Sequence, residues 1–476
     1  MSFPTQLVLN GKLQAASDGK KSPLINPAND QTICEVAVAT AHDVETAATG
    51  AQRAYEKEWR DIKPSRRAEI LFRVAQEIRL RAEELAQLEM LNIGKPISDA
   101  RDEIALGART FEYYAGAVSK FCGQTIPVGR GGLDFTLRQP MGVVAAIVPW
   151  NFPFPIACWK VAPALAAGNA VILKPASLSP LTALRLGELA LSAGLPPGVL
   201  QVLAGSGADI GQALVLHPLV RKIGFTGSTA VGSSIMKMAA QNIKRVSLEL
   251  GGKSPNIIFA DADWEQAART SPMAVFGNAG QDCCARSRVF VERRIFKKFV
   301  DIFVEATAAL IVGDPAKAAT QVGPLVSRQQ REVVEGFLAG ARSSKRQCLC
   351  GGQRLFKKGN FLSPAVVLGC ETSDEIWRQE VFGPVVCIRA FTSEDAMLAE
   401  VNDSPYGLSG SLWTRDLQRA LRVAKRVESG VLSVNTHSSV HLEAPFGGFK
   451  QSGLGRDLGM AAMESYTELK NVYIAD

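Results

Sequence analysis

Apolar residues recur at two different spacings along the chain, and each spacing predicts a different kind of element. Residues 65–120 carry apolar positions three and four apart, with Gly94 near the first stop and Pro96 just beyond it, which predicts helices. From residue 143 onward, short β-branched runs recur about 25 residues apart, with helical segments between them. This alternation predicts βαβ units around a parallel sheet. The strands are predicted at residues 143–150, 170–175, 199–205, 221–228 and 245–252, and the helices at 156–167, 180–193, 208–216 and 229–241.

The same alternation resumes in the second half of the chain and predicts a second α/β domain over residues 253–440. Residues 129–142 contain a glycine turn and an alternating strand, which indicates a hairpin or arm. The C-terminal stretch ESYTELKNVYIAD is a candidate strand to pair with that arm. The second-half pattern rests on residues 254–263, 288–306, 361–370, 385–391 and 430–435.

Composition narrows the class of protein without pointing to a function. The 476 residues allow about three domains at roughly 150 residues each. A hydrophobic content of 47% and a charged content of 21% exclude a disordered, collagen-like or coiled-coil chain. The net charge of +7 is spread along the chain, so we expect no nucleic-acid partner. The longest apolar stretch, residues 141–173, is interrupted by prolines and Lys160, which favours buried elements over a membrane span.

The cysteines indicate the compartment. Nine are present, an odd number, and no C-x-x-C pair occurs among them. The start MSFPTQLVLNGKLQ lacks the apolar region of a signal peptide. We therefore expect reduced thiols and a cytoplasmic location.

Three glycine-rich motifs are candidate phosphate sites. GGKS at 251–254 is not a P-loop, because Ser247 stands where that motif needs glycine and Pro255 follows at once. GSGADIG at 205–211 is one residue longer than the dinucleotide fingerprint. GFTGSTAVG at 224–232 ends a strand and opens a helix, which suits either a phosphate or an ordinary loop. From the residues alone, both interpretations remain open.

The candidate reactive centre lies in FGNAGQDCCARSR, residues 276–288. Cys283 and Cys284 stand among polar residues, where a thiol is more available to react than in an apolar core. The chain has only four histidines and none is near, so a carboxylate or a lysine is the expected base. Glu249 sits at the C-terminal end of a predicted parallel strand, where ligand sites collect, although a plain salt bridge would also explain it.

Seven ordered motifs together resemble the NAD(P)-dependent aldehyde dehydrogenase superfamily, and their residues are most similar to those of betaine-aldehyde and aminoaldehyde members. The resemblance implies a Rossmann-type cofactor domain (residues 1–120 and 143–250) and an α/β catalytic domain (251–440). Residues 121–142 and 441–476 would form a β-arm oligomerisation domain, giving a homodimer or homotetramer. The motifs are PWNFP (149–153), LKPAS (173–177), GFTGSTAVG (224–232), LELGGKSP (248–255), GNAGQDC (277–283), EVFGPV (380–385) and PFGGFKQSGLGRD (445–457).

The resemblance implies oxidation of an aldehyde to a carboxylic acid through a thiohemiacetal and a thioester on Cys283. The side-chain amide of Asn151 and the backbone N–H of Cys283 would hold the oxyanion. Glu249 would act as general base for hydrolysis of the thioester. Lys160 would join a proton relay with Asp457, which is one methylene shorter than the usual glutamate, so a bridging water is expected. No metal is implied.

The resemblance also implies which residues bind the cofactor. Lys174 would bind the adenosine ribose, Ser228 the pyrophosphate and Glu380 the nicotinamide ribose. Ser177 stands where strict NAD users often have glutamate, so we expect NAD to be used and NADP to be tolerated. Trp150, Gly207 and Phe382 would line the cleft.

The substrate is the least determined part of the resemblance. Aromatic walls suit apolar aldehydes or, through cation–π contacts, cationic ones, and Asp282 adds a negative charge. A CoA-dependent acylating relative and a non-catalytic structural relative remain alternatives. Glu468 would pair with Arg245 and Arg456 to attach the C-terminal segment. The expected substrate tunnel consists of Phe152, Ile156, Trp159, Asp282, Cys284 and Phe446.

Overall fold

A computed structural model describes residues 2–438 and 440–476 of the chain. Its strands are β1 (Leu7–Leu9), β2 (Lys12–Gln14), β3 (Lys21–Ile25), β4 (Thr32–Ala37), β5 (Thr125–Ile126), β6 (Leu133–Pro140), β7 (Val143–Ile147), β8 (Ala170–Lys174), β9 (Leu200–Val202), β10 (Val220–Thr226), β11 (Arg245–Glu249), β12 (Pro255–Ile258), β13 (Arg288–Glu292), β14 (Gln347–Cys350), β15 (Ala365–Leu368), β16 (Val385–Phe391), β17 (Ser409–Trp413), β18 (Val431–Val434), β19 (Gly453–Leu454) and β20 (Thr467–Ile474). Its α-helices are α1 (Ala41–Ala54), α2 (Pro64–Leu80), α3 (Ala82–Ile93), α4 (Ile97–Ala117), α5 (Pro153–Ala166), α6 (Leu181–Ser192), α7 (Gln212–Leu216), α8 (Thr229–Ala239), α9 (Trp264–Thr270), α10 (Met273–Phe276), α11 (Phe296–Ala308), α12 (Arg328–Ser343), α13 (Glu375–Arg378), α14 (Glu394–Asn402), α15 (Leu417–Arg426) and α16 (Gly459–Ser465).

The first sheet has the order β19-β11-β10-β7-β8-β9-β1-β2. Strands β11, β10, β7, β8 and β9 are mutually parallel, as the alternating pattern predicts. The parallel part of this sheet begins in the middle with β7, moves outward through β8 and β9, and then returns to the other side of β7 as β10. A crevice opens at such a reversal, at the carboxyl ends of the strands, and ligands of open α/β sheets bind there.

The second sheet has the order β14-β15-β16-β13-β12-β17-β18 and is parallel except for the edge pair β14 and β15. Strands β14 and β17 are absent from the pattern-based prediction. The sequence of β17, SGSLW, lacks the β-branched run that signals a strand, yet all five of its residues are buried between neighbours. Packing of both faces against neighbouring elements stabilises β17 as a strand, and the hydrophobic pattern of the sequence does not show this packing.

The predicted arm exists and pairs with the C-terminal strand. β6 and β20 run antiparallel over their full length, with Glu468 opposite Gln139 and Leu469 opposite Arg138. β20 forms one edge of this small sheet and β5 the other. Leu133, Leu137 and Leu469 are exposed on its strands.

Helix boundaries follow the predicted signals at the N-terminal helices. α3 ends at Ile93 and is capped by Gly94, whose φ of 78° lies in the left-handed region that glycine adopts without strain. Pro96 then precedes α4, and the first α4 residue, Ile97, is buried. Within the described residues, no helix is long and apolar enough to cross a membrane.

Candidate active site

The loop that carries Cys283 has an unusual, tightly held backbone. Asn278 and Ala279 adopt positive φ angles of 49° and 55°, and Gly280 follows at 71°. A Cβ atom on Gly280 would lie 2.1 Å from the carbonyl oxygen of Gly383, so only glycine fits. The Gln281 side chain donates to the Asn278 carbonyl and accepts from the Val326 backbone N–H, which ties the turn to its surroundings. The backbone of this turn therefore holds the residues that follow it, Asp282 and Cys283, in a fixed position.

Cys283 borders an apolar cavity of about 220 Å³ on one side. The rings of Trp159 and Phe446 meet edge to face there, 5.6 Å apart. The tunnel residues expected from the sequence, Phe152, Ile156, Trp159, Asp282, Cys284 and Phe446, all line this cavity. Leu106, Leu408 and Val440 also line it and were missed, since nothing in their local sequence marks them.

A second cavity, of about 280 Å³, lies on the other side of Cys283. It collects the predicted residues Trp150, Asn151, Ser228, Glu380 and Phe382. Cys283, Glu249 and Thr226 line both cavities. The sulfur and the Glu249 carboxyl therefore stand at the junction between an apolar chamber and the crevice at the reversal of the first sheet.

Asn151 follows β7 and is held from several directions. Its side-chain amide donates to the Gln281 carbonyl over 2.9 Å. Its own carbonyl accepts from Asn278 Nδ2 at 2.9 Å and from Lys95 Nζ at 3.1 Å. Its side chain is thus fixed beside the loop of Cys283.

Lys95, which the sequence analysis missed, anchors this corner of the site. Its ammonium group is fully buried, is paired with Glu103, and lies 4.1 Å from the centre of the Phe152 ring. Burial raises the pKa of Glu103 to about 8, although Lys95 acts in the opposite direction. The signal was present in the Gly-Lys-Pro sequence after α3, but its contact with Asn151 spans 56 residues of chain.

Glu249 ends β11 and is almost completely buried. Neither of its carboxyl oxygens has a hydrogen-bond partner among the described residues. Burial, and then the nearby Asp457 carboxylate, raises the pKa of Glu249 well above its usual range. The raised pKa favours the protonated carboxyl, which can exchange its proton with a molecule in either cavity.

The thiol of Cys283 is also held in its protonated form. A hydrogen bond with the Cys284 side chain, followed by burial, raises the pKa of Cys283 well above its usual range. Activation of the thiol therefore needs a group that takes its proton.

Lys160 lies behind this site and pairs with Asp457. Lys160 Nζ lies 2.8 Å from Asp457 Oδ2, so the contact is direct and the expected bridging water is wrong. The shorter aspartate reaches because Phe446 and Asp457 exchange two backbone hydrogen bonds of 2.7 and 2.8 Å, which bring the segment close.

We expect Asp457→Asn to lower the free energy of unfolding by about 3–5 kcal/mol, since it leaves the Lys160 ammonium buried without a counter-charge. Urea unfolding followed by tryptophan fluorescence measures the change. Glu468→Gln is the matched control, because the pair of Glu468 with Arg245 is largely exposed and should contribute at most about 1 kcal/mol. Equal losses in the two variants would contradict the assignment.

The predicted pairing of Glu468 is confirmed for Arg245 and wrong for Arg456. Arg245 Nε donates to Glu468 Oε1 over 2.8 Å. Arg456 instead donates to the carbonyl oxygens of Gly448 and Gly455, so it turns back onto its own loop.

A groove of about 510 Å³ lies beside α8. Of the residues expected around the adenosine and the pyrophosphate, Gly207 lines this groove, whereas Lys174 and Ser228 do not. A Cβ atom on Gly207 would meet nothing within 4 Å. Ser228 caps the N-terminus of α8, where free backbone N–H groups favour a phosphate. Lys174 Nζ donates to the Pro175 carbonyl over 2.8 Å, and burial lowers the pKa of Lys174 to about 8.

The nicotinamide half would meet Glu380 and Phe382. Glu380 accepts from the Gly252 backbone N–H over 2.9 Å, and burial raises the pKa of Glu380 to about 7. The Phe382 ring packs edge to face on Trp150, 5.2 Å away. Ser177 is exposed in the loop after β8. Open grooves, a capped helix N-terminus and a buried carboxyl fit a dinucleotide.

Comparison with known proteins agrees with this geometry. The family model described as "Aldehyde dehydrogenase family" matches residues 14–472. The chain belongs to the aldehyde dehydrogenase family. It is 40% identical to the chloroplastic betaine aldehyde dehydrogenase of Beta vulgaris, covering 99% of this chain and 97% of the relative. It is 41% identical to the peroxisomal aminoaldehyde dehydrogenase 2 of Malus domestica, over 99% and 96% of the two chains.

A solved structure shows the same fold with its cofactor. The indole-3-acetaldehyde dehydrogenase of P. syringae, in complex with NAD+ and IAA, superposes with a TM-score of 0.99 at 39% identity, covering 100% of this chain and 97% of that one. The protein is an aldehyde dehydrogenase that oxidises an aldehyde with NAD as its cofactor.

Proposed function

We propose that Cys283 is the nucleophile and Glu249 the general base in oxidation of a neutral, apolar aldehyde to its carboxylic acid. The observation that carries this proposal is their shared position between the two cavities. An aldehyde in the apolar cavity and a dinucleotide in the crevice would meet at the Cys283 sulfur.

The chain's own groups account for the proton transfers. The Cys283 thiol loses its proton to a base, and the sulfur bonds to the aldehyde carbon, giving a tetrahedral thiohemiacetal oxyanion. Asn151 Nδ2 and the Cys283 backbone N–H would donate to that oxygen, and removing one such donor typically costs a hundredfold or more in rate. NAD+, when bound, supplies the acceptor for the hydride that leaves this carbon. The product of that loss is a thioester on Cys283.

Hydrolysis would then depend on Glu249. Its carboxylate takes a proton from water, the hydroxide adds to the thioester carbon, and the carbon–sulfur bond breaks. The sulfur leaves as thiolate and regains a proton. The presence of this buried base supports hydrolysis over transfer to CoA, and the joint placement of Cys283, Glu249 and Asn151 argues against a non-catalytic structural role.

The proposed preference for a neutral substrate is supported by the charges around the tunnel. The walls are mainly apolar. The Lys95 cation already lies against the face of the Phe152 ring, so this ring is not free to make a cation–π contact with a cationic substrate. The carboxyl group of Glu103 is paired with Lys95. Asp282 remains the feature that favours a cationic aldehyde. The names of the relatives divide between betaine aldehyde or aminoaldehydes and indole-3-acetaldehyde.

A substrate panel tests this proposal. We expect NAD+-dependent oxidation of hexanal and benzaldehyde with a higher kcat/KM than of betaine aldehyde and 4-aminobutanal, with the free acid as product. Asp282→Asn should then change the preference little. A higher kcat/KM for the cationic aldehydes, lost in Asp282→Asn, would overturn the neutral preference. Turnover that requires CoA would overturn hydrolysis.

Cofactor choice should depend on Ser177. We expect the protein to accept NADP+ besides NAD+, because no carboxylate at this position repels the 2′-phosphate. Ser177→Glu should lower kcat/KM for NADP+ at least about tenfold and leave that for NAD+ little changed. Ser177→Ala is the matched control. Complete exclusion of NADP+ by the parent protein would show that another group decides.

We also propose a domain division, an oligomeric state and a cellular location. The domain division (1–120 with 143–250, 251–440, and 121–142 with 441–476) is supported by the separate sheets. A homodimer or homotetramer is supported by exposed apolar residues on the edge strand β20, which a neighbouring subunit would cover, and light scattering distinguishes the two states. A cytoplasmic location is supported by nine free thiols.

A further inference from the structure

Three adjacent residues converge at the wall of the apolar cavity. One carboxylate oxygen of Asp282 and the sulfur atoms of Cys283 and Cys284 all lie within 4.8 Å of one another. In a tetrahedral zinc site, with Zn–S near 2.3 Å and Zn–O near 2.1 Å, the ligand atoms stand roughly 3.5–3.8 Å apart. Small side-chain rotations therefore suffice to place the three atoms around one ion.

The surrounding structure already fixes the carboxylate. Asp282 Oδ1 accepts from the Cys284 backbone N–H over 2.8 Å, which holds it close to the two sulfur atoms. All three residues line the cavity of about 220 Å³, which leaves room for a water as fourth ligand. Two thiolates, one carboxylate and a water are a ligand set that zinc accepts.

The local charge also suits a divalent cation. The guanidinium of Arg286 is buried and donates to Ser411 Oγ and to the carbonyl oxygens of Cys284 and His437. No carboxylate of the described residues forms a salt bridge with it, so its charge remains available to stabilise thiolates. The formal charges of two thiolates, the Asp282 carboxylate and the Arg286 guanidinium sum to about −2, and one divalent ion neutralises this charge.

We propose that Asp282, Cys283 and Cys284 form a binding site for a thiophilic divalent cation, of which Zn²⁺ is the expected occupant, and that its occupation reversibly inhibits the enzyme. Binding breaks two S–H bonds, forms two zinc–sulfur bonds and one zinc–oxygen bond, and releases two protons to solvent. With its sulfur in the metal site, Cys283 is unable to attack an aldehyde. The inhibition rests on the function proposed above, whereas the binding does not.

Cobalt substitution tests the binding without any assay of activity. We expect metal-free, full-length protein to take up one Co²⁺ per chain with an ultraviolet thiolate-to-cobalt charge-transfer band, and one equivalent of Zn²⁺ to abolish that band. Cys284→Ala should weaken binding at least about tenfold and reduce the band, since it removes a direct ligand. Asp282→Asn should weaken binding while keeping both sulfur contributions to the band.

The double variant Cys348→Ala, Cys350→Ala is the matched control, because these two partly buried cysteines of β14 lie far along the chain from the proposed site. It should bind cobalt as the parent does. The proposal is overturned if this control loses the band, if Cys284→Ala keeps the parent affinity, or if the parent shows no band. Thermal melting of each metal-free variant verifies that it is folded.

Inhibition is measured as the ratio of rates with and without Zn²⁺ for each variant, so that any change in its own rate cancels. We expect Zn²⁺ to inhibit the parent, a chelator to restore the rate, and Cys284→Ala to need at least about tenfold more Zn²⁺. Equal sensitivity of the two proteins would overturn the inhibitory role. Absence of aldehyde oxidation in metal-free parent protein would refute the proposed function instead, and the cobalt titration would still judge the site.

Discussion

Cys283→Ala is expected to lower kcat for aldehyde oxidation by at least about 10⁴-fold, because it removes the sulfur atom that forms the covalent intermediate. The change removes one sulfur atom from the boundary between the two cavities and leaves the crevice around Ser228 and Glu380 intact. NAD+ affinity should therefore stay within about threefold of the parent value. Steady-state kinetics and fluorescence titration with the cofactor measure the two effects.

Cys284→Ala is the control for this prediction. Its thiol borders the aldehyde cavity and not the crevice, so its loss should cost far less than that of Cys283. If the two variants retain similar rates, the neighbouring thiol substitutes for the proposed nucleophile. If Cys283→Ala loses cofactor affinity as well, the residue serves the structure of the loop.

Glu249→Gln should separate the two halves of the reaction. The amide keeps the shape of the carboxyl group but takes no proton from water, so the thioester should form and then persist. We expect a burst of about one NADH per active site, followed by a steady rate that is 10²–10⁴-fold below that of the parent. Stopped-flow absorbance measures the burst, and mass spectrometry of the quenched protein detects the acyl group on Cys283.

The pH profile gives an independent readout of the same residue. Burial raises the pKa of Glu249, so its carboxyl becomes a base only at a higher pH than an exposed glutamate does. The deacylation rate of the parent should therefore increase with pH through that raised pKa, and Glu249→Gln should lose this limb. A variant without a burst but with the parental pH profile would place the base elsewhere.

The sequence predicted the parallel core because burial on both faces leaves continuous apolar runs. β7, β8, β10 and β11 begin and end within a few residues of their predicted bounds. Once the strands are parallel, residues just after their carboxyl ends must share one edge, and this brings Asn151, Ser228 and Glu249 together.

Contacts between distant segments could not be predicted in this way. The bond from Lys95 to the Asn151 carbonyl and the direct pairing of Lys160 with Asp457 depend on how the N- and C-terminal segments pack on the first sheet. Arg456 was assigned to Glu468 by analogy, but the local loop offers its guanidinium nearer carbonyl acceptors. Short strands such as β17 carry no periodic signal and are stabilised by their neighbours.

The edge of the first sheet beside Glu249 is completed by β19, a strand that lies about 200 residues further along the chain. β19 pairs with β11, with Gly453 opposite Glu249, and Asp457 lies just beyond it. During synthesis, the nucleophile and the base leave the ribosome before these residues are made. A nascent chain without these residues therefore lacks its finished catalytic centre, and aldehyde oxidation should begin only after β19 and Asp457 have been made and have docked.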